Sequence, residues 1–73
     1  MGKRLQFTDA DRFLVLRNRT YHYKRRVPAT VAKQDQRAPF VRLSLKTNDL
    51  ALARIKRDEL EDADDTYWSK LTL

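Results

Sequence analysis

The sequence predicts an α+β domain, a three-stranded antiparallel β-sheet packed against one C-terminal α-helix. Three observations lead there. Two apolar or aromatic runs, Phe13 to Leu16 and Tyr21 to Val27, flank the turn-forming stretch Arg17-Asn18-Arg19-Thr20, which is the pattern of a hairpin. A third stretch, Phe40 to Lys46, alternates apolar and polar residues with period two. After it, Asn48-Asp49 leads into a run of helix formers that begins Leu50-Ala51-Leu52-Ala53. Sheet and helix each need the other, because an apolar face or stripe has to be covered.

The elements follow in order. Residues 1–11 mix Lys3, Arg4 and polar groups without a sustained period and read as a flexible arm, leaving residues 12–71 as the single β-β-β-α domain. In the hairpin turn Asn18 tolerates positive φ, whereas Arg19 has to accept strain of about 1 kcal/mol or sit in a longer loop. Alternation along the second strand puts Tyr21, Tyr23, Arg25 and Val27 on one face and His22, Lys24 and Arg26 on the other. The two tyrosines are expected in the core with their hydroxyls reaching solvent. Pro28 to Pro39 reads as a polar, mobile connection with one helical turn over Pro28 to Ala32. In the third strand Val41, Leu43 and Leu45 face inward, opposite Phe40, Arg42, Ser44 and Lys46. The helix is expected to take Asn48 as N-cap and to run to Ser69 or Leu71. Its stripe is Leu50, Ala53, Leu60, Ala63, Tyr67 and Leu71, interrupted near Arg57. Asp64 and Asp65 oppose the helix dipole and predict fraying, and Trp68 reads as an exposed contact residue.

Composition narrows the function. Seventy-three residues, 41% hydrophobic with three Gly or Pro in all, suffice for one small domain. There is no cysteine, and His22 is the lone histidine, so neither a disulfide nor a metal site nor any cofactor is expected. No Ser, Cys or paired carboxylate stands where it would make a nucleophile system with His22, so no catalytic residues are expected. The longest apolar stretches are four residues, against about 20 for a membrane span. A span, a signal peptide and a membrane partner are therefore not expected, and Gln6 stands where an acylation signal after Met1-Gly2 requires Ser or Thr. The net charge is +6 and the pI about 10.1, which favours a polyanionic partner over a small-molecule substrate. Residues 1–46 hold twelve Lys or Arg against three Asp, a net of +9, and residues 47–73 hold four against seven acids, a net of −3.

The basic half concentrates on one sheet face. Tyr21-His22-Tyr23-Lys24-Arg25-Arg26 interleaves aromatics and cations beside the strand that carries Arg42 and Lys46. Since the other face is buried under the helix, this one is left to solvent, and a sheet fits a major groove about 12 Å wide. Lys24, Arg26, Arg42 and Lys46 are the candidate phosphate or base-edge contacts, joined by His22 and Ser44, with Arg12, Arg17 and Arg19 assisting on the backbone. Strand cations ordinarily serve solubility and edge protection, and the charge split is what favours binding of double-stranded DNA here. Two rival readings are a protein-docking module acting through the acidic helix and Trp68, and a single-strand binder needing exposed stacking aromatics. Burial of Tyr21 and Tyr23 would remove the second.

The blocks from Leu14 to Pro28 and from Val41 to Arg54 resemble the N-terminal domain of phage-type tyrosine recombinases, the integrases, over about residues 13–61. That family reads as a hairpin ending in arginines, valine and proline, matched by Arg25-Arg26-Val27-Pro28. An arginine-serine-leucine-glycine-threonine strand then runs into an aspartate-leucine-small-alanine-arginine helix start, matched from Arg42 to Arg54. Arg19 and Lys46 stand where the family usually has glycine. The resemblance implies that the chain is part of a longer, cytoplasmic, nucleoid-associated integrase of phage or prophage type. It implies that the sheet binds DNA to position the enzyme for site-specific recombination and DNA integration, alongside other domains or subunits of the parent. The catalytic tyrosine would lie elsewhere, and Tyr67 and Trp68 would border the next domain.

Overall fold

A computed structural model describes residues 10–72. Its order is β1 (Leu14–Arg17), β2 (Thr20–Arg26), a single 3-10 turn (Ala29–Val31), β3 (Phe40–Ser44) and α1 (Leu50–Leu71). The three strands form one antiparallel sheet in the order β1-β2-β3, with α1 against one face, the α+β arrangement that the sequence predicts.

The hairpin is tight. Arg17 pairs with Thr20, so Asn18 and Arg19 alone make the turn, both left-handed at φ 50° and 63°. Positive φ at both central residues is the turn whose twist matches paired strands, and Arg19 accepts the strain rather than escaping into a longer loop. Register then fixes the faces: Leu14 opposite Tyr23 and Leu16 opposite Tyr21 on the helix side, Val15 opposite His22 on the other. Beyond β3 the ladder is broken by one residue. Leu45 N–H donates to the Tyr21 carbonyl, but Tyr21 N–H donates to the Thr47 carbonyl, and Lys46 between them is thrown out at φ 54°.

The core is Tyr23, Val27, Val31, Val41, Leu45, Ala53 and Trp68. Leu43, although on the helix side of edge strand β3 and flanked there by buried Val41 and Leu45, is 46% exposed. The stripe that α1 buries is Ala53, Arg57, Asp64 and Trp68, with Leu60 and Leu71 packed beside it. Those spacings of three and four hold to one face along the whole helix. The expected stripe is correct at Ala53, Leu60 and Leu71, while Ala63 and Tyr67 are exposed and their C-terminal neighbours Asp64 and Trp68 are buried instead. Trp68, 5% exposed, is thus a core residue and not a contact surface.

Polar residues enter this interior because each meets a partner. Tyr23 Oη donates to Asp64 Oδ2 at 2.8 Å, the Arg37 guanidinium pairs with Asp64 at 3.1 Å and Asp35 at 2.8 Å, and Trp68 Nε1 donates to Asp35 at 2.8 Å. One chain of contacts therefore ties β2, α1 and the connection between β2 and β3. Burial, opposed by the hydrogen bond from Arg25 and reinforced by Asp64, pushes the Tyr23 hydroxyl up to about 12, so it meets Asp64 as a neutral donor rather than reaching solvent. Asp64 does not fray the helix; it anchors it. The connection expected to be mobile is packed too, with Val31 and Asp35 both buried.

Asp49, not Asn48, caps α1: its carboxylate accepts from Ala51 N–H at 2.9 Å and Leu52 N–H at 3.3 Å. The expected arm lies mostly outside the described residues, at 1–9. Ala10, Asp11 and Arg12 are held on the helix by Arg57 Nη2 to the Ala10 carbonyl at 2.9 Å, Arg57 Nη1 to the Arg12 carbonyl at 2.8 Å and an Arg54–Asp11 pair at 2.7 Å.

Candidate nucleic-acid interface

The face of the sheet turned away from α1 is built by register. Its strand positions are Val15 and Arg17 on β1, Thr20, His22, Lys24 and Arg26 on β2, and Phe40, Arg42 and Ser44 on β3. Across the strands Lys24 stands opposite Arg42, Arg26 opposite Phe40 and His22 opposite Ser44. None of the three strands contains Asp or Glu. Arg19 projects from the hairpin turn, and Lys46 from the break after β3, at the same end of the sheet. A shallow depression of about 110 Å³ lies in the middle, lined by Val15, Arg17, His22, Tyr23, Lys24 and Arg42.

The sequence-predicted residues sort cleanly. His22, Lys24, Arg26, Arg42, Ser44 and Arg17 share the open face, with Arg19 and Lys46 at its end. Arg12 does not belong with them: its guanidinium forks onto Glu61 at 2.6 Å and 3.0 Å and approaches Asp58 at 3.6 Å, on the helix side. Arg25 is likewise turned inward, pairing with Asp65 at 2.6 Å and lying 4.6 Å from the Phe13 ring centroid and 4.7 Å from that of Trp68.

Pairing separates the arginines of the two sides of the molecule. Arg12, Arg25, Arg37, Arg54 and Arg57 each pair with a carboxylate. Arg17, Arg19, Lys24, Arg26, Arg42 and Lys46 have no ion pair among the described residues. What three of them have instead is Phe40, which sequence reading placed outward without giving it a role: Lys24 Nζ, Arg42 and Arg26 lie 4.9, 5.3 and 5.6 Å from its ring centroid. The signal for it was the cross-strand register, which is invisible until the strands are paired. The described residues hold no group of three or more His, Cys, Asp or Glu able to bind a metal ion, and no helix is long and apolar enough to cross a membrane.

A small α+β domain with one covered and one open, cationic sheet face is the class these features define. Residues 13–73 match the family model described as a domain of unknown function, DUF6538, and the chain belongs to that family. No curated protein and no solved structure matches the chain.

Proposed function

We propose that the chain is a double-stranded DNA-binding module, using the open sheet face to position a phage-type integrase on its DNA in the cytoplasm, and that it carries no catalysis of its own. The observation that carries this is the open face itself, where six cations without an ion pair gather on a surface free of carboxylates among the described residues, while every described arginine off that face is paired with a carboxylate. Phosphate neutralisation by such a face supplies affinity, and the guanidiniums of Arg26 and Arg42 supply forks that match phosphate oxygens. The integrase part is supported by the backbone: Arg19 and Lys46, standing where that family has glycine, are both left-handed.

The rival readings have less behind them. Docking through the acidic helix loses Trp68 to the core, and Asp58, Glu61, Asp64 and Asp65 are engaged by Arg12, Arg57, Arg37 and Arg25. Single-strand stacking loses Tyr23 to the core and Tyr21 to the helix side. An amide chemical-shift titration with a short duplex, at low and moderate salt and with a single-strand control, tests the proposal. Salt-sensitive shifts at Tyr21 to Arg26 and Phe40 to Lys46 are expected. Silent strands with shifts confined to Asp58 to Leu71 on adding a recombinase domain would replace it with the docking reading.

A further inference from the structure

Three like charges share one corner of the open face. Lys24 directly opposes Arg42, and Arg26 opposes Phe40, so the three cations and the ring occupy one rectangle of cross-strand neighbours. Like charges directly opposite each other destabilise a strand pair, and no carboxylate among the described residues relieves these three. The Phe40 ring does, because the negative face of an aromatic quadrupole attracts cations as an aliphatic side chain does not. Cations already crowd its π-surface, which leaves it poorly placed to stack on a base itself.

We infer that Phe40 is a positioning residue that gathers Lys24, Arg26 and Arg42 into one trivalent site for consecutive phosphates of a single DNA strand, an inference that rests on the DNA-binding reading of this face. Each charge lies within 5.6 Å of the same centroid, so no two are farther apart than about twice that. Consecutive phosphates of one strand lie about 7 Å apart through space, farther than their axial rise of about 3.4 Å, so that span takes in two or three adjacent phosphates. Holding the three side chains together beforehand removes part of the ordering that binding would otherwise require.

The test is duplex affinity across a salt series for Phe40→Leu, Phe40→Trp, Arg42→Gln and the double variant Phe40→Leu with Arg42→Gln, each checked for its fold by its amide spectrum. Phe40→Leu should bind about fivefold more weakly at every salt concentration with the slope of log K against log salt unchanged, since all the charges remain. Phe40→Trp should bind as the parent does, and Arg42→Gln should reduce the slope by about one. The double variant should lose less than the product of the two single losses, because the ring has fewer charges left to arrange. Parent-like affinity in Phe40→Leu, with the strands still shifting on DNA, would overturn the positioning role and leave the DNA reading standing. A full product of losses would make Phe40 a direct DNA contact and overturn it as well. A parent chain whose strands stay silent would remove the DNA reading and this inference together.

Discussion

Asp35 is a carboxylate where an aliphatic side chain ordinarily sits, 4% exposed and in contact with the indole of Trp68. Hydrogen bonds from the Arg37 guanidinium, then from the Trp68 indole, hold its pKa far below the usual carboxylate range against the opposing effect of burial. A group with a depressed folded pKa contributes stability that is complete above its unfolded value, about 3.9, and lost as pH falls toward the folded value. Asp35→Asn should therefore lower the unfolding free energy at neutral pH by about 1–3 kcal/mol, read in urea melts, and flatten the acid limb of the stability curve below about pH 4. An acid limb as steep in the variant as in the parent would show that other carboxylates carry it. Neither Asp35 nor Asp64 was legible as interior, because hydropathy and the helix dipole both assign such residues to the surface. What admits them are partners remote in sequence, Trp68 for Asp35 and Tyr23 for Asp64, and those appear only once β2, the connection and α1 are docked.

At the scale of elements, every strand and the helix were readable, its C-terminal end at Leu71 included, and the errors in α1 lie in its phase and at its N-cap. The stripe Ala53, Arg57, Leu60, Asp64, Trp68 and Leu71 keeps a helical period throughout, but two of its members are charged, so a search for apolar residues slips by one position to Ala63 and Tyr67. The cap slipped likewise from Asp49 to Asn48, adjacent residues of equal capping preference. Asp49→Ala should reduce stability by about 1 kcal/mol while Asn48→Ala leaves it nearly unchanged, as thermal melts of the two variants would read. Equal losses would place the cap elsewhere. The hairpin was predicted with its conflict attached, an arginine at a position that wants glycine, and β1 and β2 close around that conflict with Arg19 at φ 63°. Arg19→Gly should relieve roughly 1 kcal/mol of left-handed strain. In the same variant, duplex binding should weaken and lose about one unit of salt slope if the turn touches the backbone. Unchanged binding would remove Arg19 from the interface without touching the strands.

Over the whole molecule the charge split seen in the sequence becomes a division between two sides. The acidic helix neutralises its own neighbourhood by pairing with Arg12, Arg25, Arg37 and Arg57, which leaves the excess positive charge on the far side of the sheet. That division was legible as a net charge of each half, and strand alternation already set Arg25 apart from its neighbour Arg26, but the inward pairing of Arg12 was not legible because its partner Glu61 is remote in sequence. A face of unpaired like charges works against folding, and the fold's own preference can be tested at its centre. Lys24→Glu sets a carboxylate directly opposite Arg42, turning a repulsive cross-strand pair into an attractive one worth about 0.2–1 kcal/mol, and in a domain of this size about 1 kcal/mol moves the melting temperature by roughly 4–8 °C. Loss of the Lys24 contact with the Phe40 ring opposes that gain by a similar amount, so the variant should melt within a few degrees of the parent. In the same protein duplex binding should fall, and Lys24→Glu with Arg26→Glu should abolish it, because phosphates meet carboxylates where they met cations. Stability held while binding is lost in one substitution is the signature of a surface kept cationic for a partner. If binding survives the double reversal, the cations of β2 serve the fold or its solubility and the partner of this face is not a polyanion.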